Sequence, residues 1–194
     1  YGNPCDVRAI EQVASKLKLP IIFDAAQAFA VKLNNKSILN FGTLSIVSLH
    51  TTKVFSTIEG GFIVTKCPEI KKRLDQHKNF GISGPSSISS YGFNAKLNEF
   101  QSAIGLVNLK SVETNIENRK ISYLLYKKLL KSANGIQIYP FEKTATLNYS
   151  YLPIVIKNPE KISRNELETE LLKNGVGCRK YFYPIINKFK GMNV

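Results

Sequence analysis

Residues that bind metal ions or form disulfides are scarce in this sequence. Its 194 residues include three cysteines and two histidines. The cysteines, Cys5, Cys67 and Cys178, lie far apart and form no Cys-x-x-Cys pair, and His50 and His77 are too few to complete a zinc site with them. The sequence therefore argues against a zinc module and a disulfide framework, and it favours a reduced, cytoplasmic compartment.

Long apolar runs are also missing. No stretch approaches the roughly 20 apolar residues that a membrane-spanning helix needs, and no secretory signal is recognisable at the start. We therefore expect no membrane association. The hydrophobic fraction of 43% and the charged fraction of 21% are ordinary for a globular protein.

Acidic residues are few. There are 14 Asp and Glu residues against 27 Lys and Arg residues, which gives a formal net charge of +13. Such a charge raises the question of an anionic partner: a nucleic acid, a membrane surface or a phosphorylated substrate. The lysines are scattered, however, and no RNP-like motif or zinc finger accompanies them. We predict no nucleic-acid partner, and a nucleotide-linked substrate would use only a few of these charges.

The first half of the chain reads as alternating helices and strands, which is typical of an α/β fold. Asp6 is a candidate N-cap for a helix that stops before Pro20. A short buried strand then ends at Asp24. The further predicted elements are strands at Leu44–Leu49 and Gly61–Thr65, and a helix from Pro68 to about Asn79.

The second half reads as a long helical region that leads into a small α+β unit. Glycine, serine and proline dominate Gly81–Tyr91, which we interpret as a mobile loop. The other predicted elements are helix from Lys96 to Asn134 with a break near Ser111, a strand at Thr146–Ile156, a helix opened by a capping box of Ser163 and Glu166, and a strand at Arg179–Ile186.

Two residues that follow buried strands carry candidate chemistry. Lys53 lies in a short polar loop between two apolar strands, and Asp24 ends another strand. A lysine amine and an acid in such positions are the minimum for holding pyridoxal phosphate (PLP): the lysine forms a Schiff base and the acid pairs with the pyridinium nitrogen. Taken alone, Lys53 is better interpreted as a solvated loop lysine and Asp24 as the cap of a turn, and only their combination with other residues favours the cofactor site.

Three neighbouring residues extend this candidate site. Gln27 follows the two small alanines after Asp24 and is placed to face the same cofactor. Ser48 and His50 alternate along the strand that leads to Lys53, so we predict that they share one face. The serine hydroxyl is suited to donate to a phosphate oxygen, whereas His50 fits either a supporting role or direct contact.

Four motifs in a fixed order carry a resemblance to a known family. They are Phe23-Asp-Ala-Ala-Gln-Ala28, Ser48-x-His50-x-x-Lys53, Glu59-Gly-Gly61, and the run from Tyr91-Gly-Phe-Asn94 to Ala103. Together they resemble the DegT/DnrJ/EryC1/StrS family of PLP-dependent nucleotide-sugar aminotransferases, over nearly the whole chain.

The resemblance implies a fold-type-I PLP aminotransferase. Its large α/β domain has a mixed, mainly parallel sheet, and a smaller α+β domain follows. On this basis residues 1–110 are the C-terminal part of the PLP-binding domain, and residues 111–194 are a long linking helix with a truncated small domain. The resemblance also implies a homodimer with shared active sites.

The resemblance further implies roles for individual residues. Lys53 matches the Schiff-base lysine, Asp24 the pyridinium partner, Gln27 the residue beside the ring, Ser48 a phosphate ligand, and Asn94 the asparagine that reaches the phosphate of the other subunit. Substrate contacts are expected from His50, Tyr181 and Tyr183.

The implied reaction transfers an amino group, typically from glutamate, to a keto-deoxysugar linked to a nucleoside diphosphate. Such products serve surface polysaccharides, including lipopolysaccharide O-antigen. The run around Lys53 is most similar to enzymes that aminate carbon 4 of dTDP-4-keto-6-deoxyglucose. The alternative is a catalytically inactive family member that acts as a binding or regulatory protein, against which the retained Lys53 and Asp24 argue.

Several departures from the family pattern accompany the resemblance. Ala30 and Lys96 stand where glycine and arginine are frequent. Tyr1 matches a point well inside the pattern, so we expect a fragment that lacks an N-terminal segment and stops early. Missing strands leave open sheet edges, so the chain expressed alone is expected to aggregate or to fail to hold cofactor, and therefore to be inactive.

Overall fold

The computed structural model describes residues 1–189, which form two compact units. The first unit contains residues 1–127 and 140–152. The second contains residues 128–139 and 153–189. Nearly all of the candidate site residues fall in the first unit, and Tyr181 and Tyr183 fall in the second.

A three-stranded sheet organises the first unit. Its strands are β1 (Ile22–Asp24), a strand over Leu44–Ser48 and a strand over Gly61–Thr65. The Leu44–Ser48 strand is central, with β1 parallel on one side and the Gly61–Thr65 strand antiparallel on the other. The sheet is therefore mixed, as predicted.

The two faces of this sheet differ in burial. On one face the central strand buries Ser45 and Val47, which are 0% and 1% exposed. On the other face Ile46 lies opposite Ile63, and each remains 44% exposed. Ile22, two residues before Asp24 on the same face, is 62% exposed. Since apolar patches of this kind favour a partner, this face is suited to being covered by further protein.

Two short strands add a small hairpin to the first unit. They are β2 (Lys32–Leu33) and β3 (Lys36–Ser37), joined by Asn34 and Asn35. Both asparagines have positive φ angles, 48° and 63°, as a two-residue hairpin turn requires. The central strand of the main sheet is then β4 (Leu44–Ser48) and its antiparallel neighbour is β5 (Gly61–Thr65).

Four helices belong wholly or mainly to the first unit: α1 (Val7–Leu17), α2 (Pro68–His77), α3 (Glu99–Leu109) and α4 (Val112–Leu129). Asp6 caps α1 as predicted, because its Oδ1 accepts from the Ala9 N–H at 3.0 Å. The predicted break near Ser111 separates α3 from α4. One core cluster packs Leu49, Val54 and Phe55, which follow the Leu44–Ser48 strand, against Val112 at the start of α4.

The segment Gly81–Tyr91, which we interpreted as a mobile loop, contains a β-hairpin of β6 (Ile82–Gly84) and β7 (Ser87–Ile88). Its base is tied to the end of α2. The His77 ring Nδ1 lies 2.6 Å from the Tyr91 carbonyl oxygen, and the Phe93 N–H donates to the His77 carbonyl at 2.8 Å. Gly92 permits this approach, because a Cβ there would lie 2.7 Å from the same carbonyl. The amino-acid composition of the segment does not predict these long-range contacts.

The predicted strand at Thr146–Ile156 is wrong in its middle. The structure has β9 (Ala145–Thr146), which pairs with β2, and a separate β10 (Ile154–Ile156). Between them Asn148 is buried and bonds to another loop, and Tyr149 has a φ of 51°. Both features interrupt an extended ladder.

The second unit contains a two-stranded antiparallel sheet of β8 (Ile136–Ile138) with β10, and helix α5 (Arg164–Lys173). The predicted capping box is confirmed: the Ser163 N–H donates to Glu166 at 2.7 Å and the Glu166 N–H donates to Ser163 at 3.2 Å.

The predicted strand at Arg179–Ile186 is wrong. That stretch is irregular and a short 3₁₀ turn follows at Ile186–Lys188. Pro184 lacks a ladder donor, and the aromatic side chains bind cations instead: Arg164 lies 4.5 Å from the Tyr183 ring centre.

Candidate active site

The loop that carries Lys53 is closed by hydrogen bonds at its base. The Leu49 N–H donates to the Gly60 carbonyl and the Thr57 N–H donates to the Leu49 carbonyl, each at 2.9 Å. Val54 and Phe55 anchor the loop in the core, with 8% and 9% exposure. Short polar residues at the tip and apolar residues behind it thus present a half-buried Lys53 on a fixed support.

Within this loop the position of His50 differs from our prediction. Strand β4 ends at Ser48, so His50 lies in the loop rather than in strand alternation with Ser48. Its Nδ1 accepts from the Thr52 N–H at 3.2 Å and lies 2.9 Å from the Thr52 hydroxyl, and its Nε2 lies 3.5 Å from Glu59 Oε1. With Nδ1 acting as an acceptor, the proton of the neutral ring resides on Nε2 and faces Glu59.

Asp24 begins a tight turn at the end of β1. Its Oδ1 accepts from the Ala26 N–H at 3.0 Å, and the Ala25 N–H donates to the Ile46 carbonyl at 2.9 Å. Asp24 is exposed. A carboxylate has two oxygens and several lone pairs, so the turn-capping role leaves capacity for a second partner. The two interpretations of Asp24 are therefore compatible.

Ser48 lies on the same sheet face as Asp24. Asp24 is in register with Ile46, and Ser48 is two residues further along that strand. The Ser48 Oγ accepts from the His50 N–H at 3.3 Å. A hydroxyl that accepts one bond still has its own proton to donate, which suits an anionic oxygen.

The topology brings the three groups to one edge of the sheet. Asp24 and Ser48 end the parallel strands β1 and β4, and the carboxyl ends of parallel neighbours lie at the same edge. Lys53 lies in the loop that follows β4. The fold brings together an amine, a carboxylate and a hydroxyl that are separated by up to 29 residues in sequence.

Gln27 is half-buried within the turn after Asp24. The Ala28 N–H closes this turn on the Ala25 carbonyl at 2.9 Å. The backbone carbonyl of Gln27 accepts from Asn148 Nδ2 at 2.8 Å. Sequence reasoning missed Asn148, because an asparagine inside a predicted strand gives no signal of a partner 121 residues away.

Asn94 lies on an exposed arm, which we define as residues 79–98. A β-bridge pairs Asn94 with Asn79, and the Asn94 side chain accepts from the Lys96 N–H at 3.4 Å. Lys96 in turn donates to Asn79 Oδ1 at 3.0 Å. The contacts of Asn94 are thus made within its own arm, and its role toward a phosphate stays a prediction.

Tyr181 and Tyr183 lie in the second unit, within an aromatic and basic cluster. The Tyr181 ring stacks on Phe182 with centres 4.0 Å apart, and Tyr183 lies beneath Arg164. Lys180 bonds Glu168 at 2.6 Å. The substrate contacts expected of both tyrosines stay predictions.

Metal-binding clusters and membrane-spanning helices are both absent from residues 1–189. No group of three or more His, Cys, Asp and Glu side chains in this part of the chain is placed to hold a metal ion. None of its helices combines the length and the apolar character needed to cross a membrane.

The fold and the site place the chain among mixed α/β proteins that carry a lysine loop and a strand-end carboxylate after neighbouring parallel strands. More specifically, the chain belongs to the DegT/DnrJ/EryC1/StrS aminotransferase family, whose model matches residues 1–190. This confirms the family resemblance of the four motifs.

Two relatives carry the same name, dTDP-4-amino-4,6-dideoxy-D-glucose transaminase. The protein from Shigella dysenteriae is 40% identical over 190 residues, which are 98% of this chain and 52% of the relative. The protein from Escherichia coli is 38% identical over 188 residues, which are 96% of this chain and 51% of the relative. The chain thus spans about half the length of these relatives.

Solved structures agree with the fold. The DesI structure, determined in the presence of its TDP-sugar product, matches with a TM-score of 0.89 at 28% identity, covering 99% of this chain and 49% of that one. The Helicobacter pylori PseC aminotransferase, involved in pseudoaminic acid biosynthesis, matches with a TM-score of 0.90 at 24% identity, over 99% of this chain and 53% of that one. The predicted fold class is confirmed.

Proposed function

We propose that the protein containing this chain is a PLP-dependent aminotransferase that aminates a keto-deoxysugar linked to a nucleoside diphosphate, with glutamate as donor. The observation that carries the proposal is the position of Asp24 and Ser48 at the carboxyl ends of the parallel strands β1 and β4, with Lys53 in the loop that follows β4. Membership of an aminotransferase family supports the same reaction class.

The residues present fit PLP chemically. An aldehyde needs an amine, a pyridine nitrogen needs an acid, and a phosphate needs hydrogen-bond donors. Lys53 supplies the amine, Asp24 the acid and Ser48 a hydroxyl proton. The turn after Asp24 begins with Ala25 and Ala26, whose small side chains leave space for a flat ring.

Each residue then has a defined task. When bound, PLP supplies an electron sink for negative charge on the substrate carbon. Asp24 keeps a proton on the ring nitrogen, Gln27 borders the ring, and Ser48 donates to a phosphate oxygen. Lys53 holds the cofactor covalently and, once its amine is released, moves the proton at the reacting carbon.

We propose that the protein works as a homodimer in which Asn94 completes the site of a second copy. The exposure of the arm supports this arrangement. Tyr91 is 96% exposed and Phe93 is 67% exposed, and Phe100 at the start of α3 is 84% exposed. Three large aromatic side chains in one segment are expected to be covered by protein.

The names of the two relatives support a particular substrate, dTDP-4-keto-6-deoxyglucose, with amination at carbon 4. The product would serve a surface polysaccharide of the lipopolysaccharide O-antigen type. We assign His50, Tyr181 and Tyr183 to substrate contacts. A cytoplasmic location fits the three free thiols of Cys5, Cys67 and Cys178.

Borohydride reduction of the PLP-loaded protein tests the proposal. Reduction fixes the cofactor to its lysine, and peptide mapping is expected to find the label on Lys53. A label on another lysine would refute the site. Adding glutamate to the unreduced protein is expected to change the visible absorbance, because the amino group moves to the cofactor. An inactive binding protein would bind PLP but show no such change.

A further inference from the structure

Asn148 forms a buried clamp on the turn that follows Asp24. It is 1% exposed. Its Nδ2 donates to the carbonyls of Gln27 and Phe29, at 2.8 and 2.9 Å, and its Oδ1 accepts from the N–H and hydroxyl of Ser150, at 3.1 and 3.0 Å. These four bonds use both donors and both lone pairs of the amide.

The two clamped carbonyls belong to the turn that carries Gln27. The turn has local bonds of its own, from the Ala26 N–H to Asp24 and from the Ala28 N–H to Ala25. Local bonds of this kind set the shape of a turn but not its position relative to the rest of the fold. The Asn148 amide, 119 to 121 residues away in sequence, supplies that long-range constraint.

Gly2 indicates how closely the backbone packs around this clamp. Its φ is +82°, and a Cβ at this position would lie 2.9 Å from both Asn148 Oδ1 and the Gln27 carbonyl oxygen. The clamp therefore lies among three converging backbone segments, and a displacement of the amide would move the turn.

We propose that Asn148 is a positioning residue of the candidate active site. It fixes the backbone of Gln27 and Phe29, and through this turn it fixes the direction in which Asp24 and Gln27 face the cofactor ring. The inference rests on the proposed function, because it assigns Asn148 to the same PLP site. Asn148 itself acts through the backbone and does not touch the ring.

A purely structural role would have a different signature. If Asn148 only joined residues 140–152 to the rest of the first unit, its loss would lower stability and leave the affinity for PLP unchanged. If it positions the turn, its loss lowers PLP affinity and shifts the pH dependence of the bound cofactor's absorbance, which reports on the Asp24–pyridine contact.

The test uses the full-length protein and two variants of the clamp. Asn148→Asp preserves size but replaces the Nδ2 amide group, which carries both N–H donors, by a carboxylate oxygen that only accepts. Asn148→Ser is neutral and too short to reach both carbonyls, so it controls for the added charge and serves if Asn148→Asp fails to fold. We expect each variant to lower PLP affinity by about tenfold or more, the equivalent of one lost bond to a buried group.

Two matched controls separate positioning from stability. Ser150→Ala removes a bond to Oδ1 but leaves both Asn148 donors in place. Thr65→Val removes a partly buried bond to the Thr43 carbonyl, 2.9 Å long, at the opposite end of β5 from Gly61. We expect both controls to keep PLP affinity within about twofold of wild type, with Thr65→Val lowering the melting temperature.

Dialysis titration of apoprotein with PLP, melting curves and a pH titration of the absorbance give the outcomes. Variants of Asn148 that are destabilised like Thr65→Val, yet bind PLP as wild type does with an unchanged pH titration, would overturn the inference alone. Wild-type protein that takes up no PLP would overturn the proposed function and the inference together.

Discussion

The Lys53 loop, residues 49–60, and the arm that carries Asn94 are held by different means. The loop rests on buried side chains of the first unit and is closed by hydrogen bonds between its own ends. The arm is tied at its base to His77 and Lys78, but the side chains along Tyr91–Phe100 are exposed. One segment faces the core of its own unit, and the other presents aromatic rings outward.

The difference distinguishes a side chain that its own subunit holds in place from one that needs a second surface. The amine of Lys53 is placed by contacts that this chain makes with itself, so its position needs no second copy. In the proposed homodimer, Asn94 reaches a site only because a second copy covers the arm. The proposal therefore assigns the reactive end of the cofactor to one subunit and its phosphate to both.

The largest expected effect comes from Lys53→Ala. Loss of the amine removes both the covalent attachment of PLP and the group that moves the proton, so transamination is expected to fall by at least about 100-fold, the lower end for a general acid–base group. Steady-state assays with glutamate measure the rate. Externally added amines offer a control, because they should restore part of the activity if the fold is intact. Full activity of Lys53→Ala would exclude this lysine.

Mixed dimers test whether Asn94 on the exposed arm serves the site of the second subunit. Lys53→Ala and Asn94→Ala proteins are each expected to have weak activity. If Asn94 serves the partner's site, a hybrid of the two has one site with both residues intact, and random mixing is expected to recover about a quarter of wild-type activity, because half of the dimers are hybrids with one complete site. Recovery is measured after co-refolding or subunit exchange. No recovery in verified hybrids would place Asn94 in its own subunit's site.

Gly60→Ala tests whether the base of the Lys53 loop depends on backbone conformation. Gly60 has a φ of +149°, and a Cβ there would lie 2.6 Å from the Thr57 hydroxyl. We expect the free energy of unfolding to fall by about 1–3 kcal/mol, the typical cost of such backbone strain. Urea unfolding measures the change. Gly135→Ala is the control, because no atom lies within 4 Å of its added Cβ. Equal effects of the two variants would contradict the argument.

The smallest expected effect is the pH dependence of the stability that the Glu166 capping bond contributes to the second unit. Hydrogen bonds from the Ser163 N–H and hydroxyl hold the pKa of Glu166 below its usual value of 4.5. A lowered pKa stabilises the folded state above pH 4.5, and this contribution is lost as the pH falls through the folded-state pKa. Glu166→Gln keeps the capping geometry but does not titrate.

Urea midpoints of both proteins at pH 6 and pH 3 measure this difference. We expect wild type to lose more stability than Glu166→Gln between the two values. The loss is expected to be small, because the carboxylate is exposed to solvent. A larger loss in the Gln variant would show that the capping bond is not the cause.

Much of the fold follows from local sequence. Capping signals at Asp6 and at Ser163 with Glu166 correctly begin two helices, and apolar runs correctly place the strands that precede Lys53 and Asp24. The failures have different causes. Asn148 bonds to a distant turn and Tyr149 has a positive φ, and both interrupt one predicted strand. Pro184 lacks a ladder donor in another, and the hairpin after α2 depends on a contact between His77 and the Tyr91 carbonyl.

The amino-acid sequence is enough to define the candidate chemistry: an amine, a carboxylate and a hydroxyl after apolar strands, in an order that matches one family. Residue types and spacing are local properties, so they can be recognised without a fold. The fold alone sets which groups meet in space: Thr52 and Glu59 contact His50 within its loop, and Asn148 holds the turn that carries Gln27. The Asn148 contacts join segments more than 100 residues apart, and no local pattern encodes such a pairing.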